Sequence, residues 1–307
     1  MKTSTLVRSV IISLLILLYT GAPENSKIVA GGYGLGGGNN ELCFPYGLVV
    51  DDDRTMIIAD WGNHRIIQWK VGDNTGQIIA GGHGQGNRLD QLYCPTDLLI
   101  DRETNSLIIC DRGNRRVVRW SRRQGATEGE ILLENIACWG LAMDNQRGLY
   151  ISDIEKNEVR RYSIGERNGT IVAGGHGRGM RLNQLDGPNY VFVDQQQAVY
   201  VSDTWNHRVV KWDTGATQGT VVVRGSPRGL FVDTAKTVYV ADYGSHRLMR
   251  WPKDATQGIA IAGGDGKEED PDQLHHPWGL SSDQHGNLFV VDHLNHRVQR
   301  FPLEPIN

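Results

Sequence analysis

Four histidines, His64, His207, His246 and His296, stand at one register of a repeated phrase, each directly before an arginine. Imidazole ionises near neutrality and ligates metals, so such a set raises two chemistries, a metal centre and general acid–base work. Four residues upstream of these histidines stand Asp60, Asp203, Asp242 and Asp292, and Asp111 and Asp153 complete a set of six aligned carboxylates. Repeat equivalence weighs against both chemistries. Equivalent positions in separate repeats lie apart in space, and unless they face a common axis they cannot meet at the roughly 2.0–2.1 Å zinc–nitrogen distance. The Asp-x-x-Asn-His-Arg set is therefore read as structural, binding its own turn, with the carboxylate as a turn cap. No catalytic residue, metal or cofactor is assigned.

A sharper candidate lies where the copies disagree. The residue at the opening of each innermost strand reads Tyr46, Thr96, Trp139, Asn189, Arg228 and Trp278 in register. These six are expected to ring a channel mouth. Aromatic and arginine side chains dominate binding hot spots, so the position reads as a contact rim; Trp139 and Trp278 fit a channel plug equally well. The Gly-rich segments nearby match no phosphate-binding pattern and open no helix.

The elements that must position these residues follow from the repeat. The phrases are MIIADWGNHRIIQW, LIICDRGNRRVVRW, LYISDIEKNEVRRY, VYVSDTWNHRVVKW, VYVADYGSHRLMRW and LFVVDHLNHRVQRF, with the aspartates 51, 42, 50, 39 and 50 residues apart. A period of about 40–50 residues rich in short strands marks a propeller array. The expected fold is all-β: a six-bladed β-propeller of four-stranded antiparallel blades, strands a to d. KIVA at Lys27–Ala30 matches the strand d phrases QIIA and TIVA, so the N-terminal strand d is expected to join the C-terminal blade and close the ring. Four d-to-a connections carry long Gly-rich inserts, and those from Ile131 and Val221 are short. The aromatics closing strand c, Trp69, Trp120, Tyr162, Trp212, Trp251 and Phe301, read as packing between blades.

At DWGNHRII, DTWNHRVV and DHLNHRVQ the chain resembles the NHL-repeat family, with Asn-His-Arg in place of Asn-His-Leu. The resemblance runs from Lys27 to about Phe301. Blade three departs from it with Lys156-Asn157-Glu158, blade two has Arg115 at the histidine, and blade five has Ser245 at the asparagine. The resemblance implies a six-bladed propeller serving as a binding platform. Relatives include ubiquitin ligases, RNA regulators, a peptide-amidating lyase and secreted proteins, and fold alone does not choose among them.

The ends and the composition narrow the choice. A basic start followed by an apolar run and small residues reads as a signal peptide over 1–22, with the propeller over 27–303. Of 32 basic residues, loss of Lys2 and Arg8 leaves 30 against 35 acidic, a charge of −5. That excess is the wrong sign for a nucleic-acid partner. Cys43, Cys94, Cys110 and Cys138 in an exported chain imply two disulfides with three open connectivities, and Asn168 heads a glycosylation sequon. The expectation is a secreted, non-catalytic scaffold for a protein or glycan ligand, with no stable membrane insertion after signal removal. The alternatives are a metal-dependent propeller enzyme resembling the amidating lyase and, last, a ubiquitin-ligase-related or RNA-binding role.

Overall fold

The computed structural model of the chain describes residues 26–264 and 273–302. The expected signal peptide and residue 303 lie outside the described residues. Six four-stranded antiparallel sheets follow one another around the ring. In blade one, strand a is Pro45–Val50, b is Thr55–Asp60, c is Arg65–Lys70 and d is Gln77–Gly81. Strand b is buried throughout in this blade, as expected for a strand covered by neighbours on both faces. Blade six draws its strands a to c from Pro277–Ser282, Asn287–Asp292 and Arg297–Pro302. Its fourth strand is Lys27–Gly31, which pairs antiparallel with Arg297–Pro302 in the register Lys27↔Arg300 and Gly31↔Arg297.

Hydrophobic clusters lie between successive blades. One joins Ile57, Ile66 and Ala80 of blade one to Leu98, Leu107, Ile109 and Trp120 of blade two. The strand c aromatics are all buried, with Trp69 and Trp212 only 2% exposed.

Two local devices shape the channel mouth. Each strand a carries one extra residue against strand b: in blade one Pro45 pairs with Asp60, and Leu48 pairs with Ile58. The same shift recurs in all six blades, with the bulge over the rim position. A bulge of this kind re-aims a side chain and strengthens local twist. After the rim residue, Gly140, Gly229 and Gly279 bring each inner strand against the next. A Cβ on these glycines would stand 2.3–2.4 Å from the carbonyl oxygen of Asn189, Trp278 and Tyr46 respectively. Only a residue without a side chain permits that approach.

Candidate functional site

The expected turn cap is absent in blades one, two, four and six, where the motif aspartate makes no side-chain hydrogen bond to the amides of its own 3-10 turn. Asp60 Oδ1 accepts the Cys43 amide at 2.7 Å, while Oδ2 accepts from Asn63 Nδ2 and Arg65 Nε. Arg65 then donates onward to the carbonyls of Gly37, Gly38 and Glu41, and Asn63 to that of Gly36. Asp111, Asn114 and Arg116 repeat this brace in blade two, and Asp203, Asn206 and Arg208 in blade four. In blade six Asp292 holds the His275 amide and Arg297, which donates to the Gln273 carbonyl. Burial is the largest influence on Asp60, Asp111 and Asp203 and raises each above the ordinary carboxylate range, against the pull of these hydrogen bonds. In blade three, Asp153 instead accepts the amides of Glu155 and Lys156.

His64 and His296 reach beyond their own turn, which corrects the expectation that the whole set binds there. His64 lies at φ 55 after a 3-10 turn, Trp61–Asn63, outside strand c. Its Nδ1 accepts the amide of Cys94 at 3.2 Å, in the next blade. His296 Nδ1 likewise accepts the Phe44 amide, linking blade six to blade one.

Of the six rim residues, four converge. Tyr46 lies edge-on to Trp278 at 4.3 Å and to Trp139 at 5.8 Å between ring centroids, and the two indoles stack at 6.3 Å. The Arg228 guanidinium sits 4.7 Å over Trp278 and 4.6 Å over Tyr243. Thr96 is fully buried and donates through Oγ1 to the Trp139 carbonyl, while Asn189 is 7% exposed. Those two lie beneath the surface. Trp278 is 6% exposed, whereas Tyr46, Trp139 and Arg228 are half-buried and face the opening. Burial pushes the Tyr46 hydroxyl up to about 12 and draws the Arg228 guanidinium below its ordinary value.

The Tyr190 hydroxyl, from strand a of blade four, donates to the Tyr46 carbonyl of blade one at 3.1 Å, linking two inner strands on opposite sides of the ring. Asp97 takes the place of the glycine in blade two, and its carboxylate accepts the amides of Leu98 and Leu141. Burial raises Asp97 to about 7.

Sequence reasoning missed a second set at the mouth, the residue directly after the motif aspartate. Trp61 and His293 pack on Tyr46 at 5.5 and 4.8 Å, Tyr243 on Trp278 at 5.3 Å, and Arg112 lies 5.9 Å over Trp139. Burial lowers His293 to about 4, and its Nδ1 is bonded to the Pro45 carbonyl. The signal was present: Trp61, Arg112, Ile154, Thr204, Tyr243 and His293 vary from copy to copy just as the strand a position does.

The model of the NHL repeat matches residues 274–301, which span strands a to c of blade six. The chain is a six-bladed β-propeller that carries an NHL repeat in its sixth blade. No curated protein matches it by sequence. A protein of unknown function from Bacteroides thetaiotaomicron is similar at 15% identity and TM-score 0.73, over 92% of this chain and 77% of that one. An auxiliary nutrient binding protein from the same organism is 15% identical at TM-score 0.67, over 91% and 76%. A gluconolactonase from Xanthomonas campestris is 15% identical at TM-score 0.66, over 92% and 96%. At these identities the likeness shows the fold alone.

In this propeller the cysteines differ from expectation. Cys110, closing strand b of blade two, is bonded to Cys138, opening strand a of blade three, with Cα atoms 5.9 Å apart. Cys43 and Cys94 are free thiols, so the second disulfide is absent. The reason is register: Cys43 packs on Gly62 of its own turn, whereas Cys94, one position further on in its insert, faces His64 at 3.8 Å. Asn168 is exposed in the connection between strands c and d.

The motif histidines do not gather with one another, but His246 meets His275 and His276. The three offer ring nitrogens within 4.8 Å of one another. Grooves of 570, 670 and 700 Å³ open elsewhere, between strand d of one blade and the c–d turn of the next. Their recurrence at equivalent junctions makes them a consequence of blade geometry. Among the described residues, no helix is long and apolar enough to cross a membrane.

Proposed function

We propose that this chain is a secreted, non-catalytic binding propeller that captures a protein partner at the aromatic mouth of its long-insert face. One observation carries the reading: half-buried rings and buried donors without a hydrogen-bond partner occur together there. The indole Nε1 atoms of Trp139 and Trp278 and the Nε atoms of Arg112 and Arg228 are buried without a hydrogen-bond partner. A buried donor left unpaired costs about 1–3 kcal/mol. A surface that concentrates such donors beside half-exposed aromatics suits a partner bearing carbonyl or carboxylate acceptors.

The surroundings favour a protein over a glycan. Tyr33, Leu35, Leu89, Met180 and Leu182 project from the inserts, with Tyr33 60% and Met180 74% exposed. Exposed apolar groups carried on the inserts suit a protein contact, whereas sugar rings stack on aromatics and gain little from Leu or Met. Asp97 does not serve as a catalytic acid in this reading, because backbone amides occupy it and the Gly47 backbone closes over it: a Cβ there would stand 2.7 Å from Oδ1.

The test is capture on immobilised protein, comparing wild type with the Trp139→Ala/Arg228→Gln double variant. One protein should be retained by wild type and released by the variant, with both baits folded. Equal retention by both would overturn the reading. Loss of retention after deglycosylating the partner would reassign the ligand to a glycan.

A further inference from the structure

We propose that His246, His275 and His276 form a binding site for a borderline transition-metal ion, tested as zinc, at the junction of blades five and six. The nitrogens lie within 4.8 Å of one another, while tetrahedral coordination at roughly 2.0–2.1 Å places ligand atoms about 3.3 Å apart. Side-chain rotations moving each nitrogen by about 1 Å close that difference. All three rings are half-buried, open to an entering ion.

The backbone holds the donors in place. His246 and His276 lie at φ 58 and 53, and Pro277 follows directly. The His275 amide donates to Asp292 Oδ1 at 2.6 Å. His276 Nδ1 lies 2.9 Å from the Tyr243 carbonyl. A carbonyl can only accept, so Nδ1 carries the proton and Nε2 presents its lone pair. Second-sphere bonds of this type orient histidine ligands and raise their basicity.

Comparison with other junctions isolates the feature. Where His246 faces His276, His64 faces Cys94 and His296 faces Phe44, each motif ring accepting a backbone amide. At the fifth junction three imidazoles pack together instead, His246 on His276 at 4.2 Å and His275 on His276 at 5.1 Å. Imidazoles gain no hydrophobic advantage over Phe44 there, and protonated rings at these distances repel. A shared cation accounts for the grouping. Three neutral nitrogens suit zinc, copper(II) or nickel(II), and not the oxygen-seeking calcium or magnesium. Three protein ligands also leave one tetrahedral position open.

The experiment uses tag-free, chelator-treated protein titrated with Zn²⁺, with bound metal counted by mass spectrometry after dialysis. Wild type should bind one equivalent, and its Tm should rise with Zn²⁺. His246→Gln and His275→Gln should each weaken binding by roughly tenfold or more. His64→Gln, at the same motif register, should leave the stoichiometry unchanged. Co²⁺ on the wild-type chain supplies a variant-independent readout, since tetrahedral nitrogen coordination gives intense visible bands. Sub-stoichiometric zinc, an octahedral Co²⁺ spectrum, or equal retention by His246→Gln and wild type would overturn the proposal.

Discussion

Blade one and blade three use the same phrase differently. In blade one a long Gly-rich insert precedes strand a; Asn63 and Arg65 grip four of its carbonyls, and Asp60 accepts its Cys43 amide. In blade three the preceding connection is short, and Lys156 and Glu158 replace the asparagine and arginine. Glu158 binds Arg160 of its own strand instead. The pattern extends around the ring: the blades that follow long inserts, one, two, four and six, all keep Asn and Arg. Blade five, after a short connection, has Ser245 at the asparagine position. The motif is therefore a brace for the insert: after the two short connections blade three has lost both the asparagine and the arginine, and blade five has lost the asparagine and kept Arg247. Its purpose is to fix the face that carries the mouth.

The largest effect that could break this contrast is removal of a brace. Arg208→Ala should destabilise the protein by about 3–5 kcal/mol, because it strands the buried Asp203 and frees the carbonyls of Met180, Arg181 and Gln184. Lys156→Ala, in the blade without an insert, should change stability by less than about 0.5 kcal/mol, since its contact to Asp153 is 3.8 Å long and exposed. Denaturant unfolding measures both, and equal losses would dissolve the distinction.

The inner strands sharpen it next. Asp97 stands where blades one, three, five and six have glycine, and its folded value of about 7 lies above the ordinary 3.8. A raised acid is protonated in the folded state first, so its contribution is fully present at low pH and is lost as pH rises to about 7. The stability difference between wild type and Asp97→Asn should therefore shrink by a few kcal/mol from about pH 4 to 7 and stay flat above. His293, lowered from 6.5 to about 4, acts with opposite sign in nearly the same window. Its contribution is full above 6.5 and is lost as pH falls towards 4. The two partly cancel in wild type, so only the single variant exposes the slope. A pH-independent difference would contradict the buried-acid assignment.

Asn206→Ala should cost about 1–2 kcal/mol, since it removes one bond to Asp203 and one to the Gly179 carbonyl. The same change at Ser245, where no long insert needs holding, should cost clearly less. At the mouth, Trp139→Ala should lower stability least among the buried-site changes, by about 1 kcal/mol or some 2–4 °C in Tm for a domain of this size. A much larger loss would make Trp139 a plug.

Much of this was legible in the sequence. Blade count, strand order within blades and the rim register follow from phrases such as MIIADWGNHRIIQW, because period and alternation are local. The split between Tyr46 or Trp139 at the surface and Thr96 or Asn189 beneath it was not, since it depends on how each bulge meets the next blade. Cys94 and Cys43 looked equivalent but differ by one position, and one position turns a side chain to another neighbour. The cluster of His246 with His275 and His276 was hidden for the same reason. Repeat logic kept the motif histidines apart, while the His-His pair before Pro277 enters from the following blade.

The central claim is that the long-insert face holds the partner. A photo-crosslinking residue placed at Tyr33 and Met180 on the inserts, and at Arg54 and Lys236 in the a–b turns at the opposite end, tests it directly. The account predicts adducts to one protein from Tyr33 and Met180 and none from Arg54 or Lys236. Adducts from the a–b turns, or none from the inserts, would contradict it.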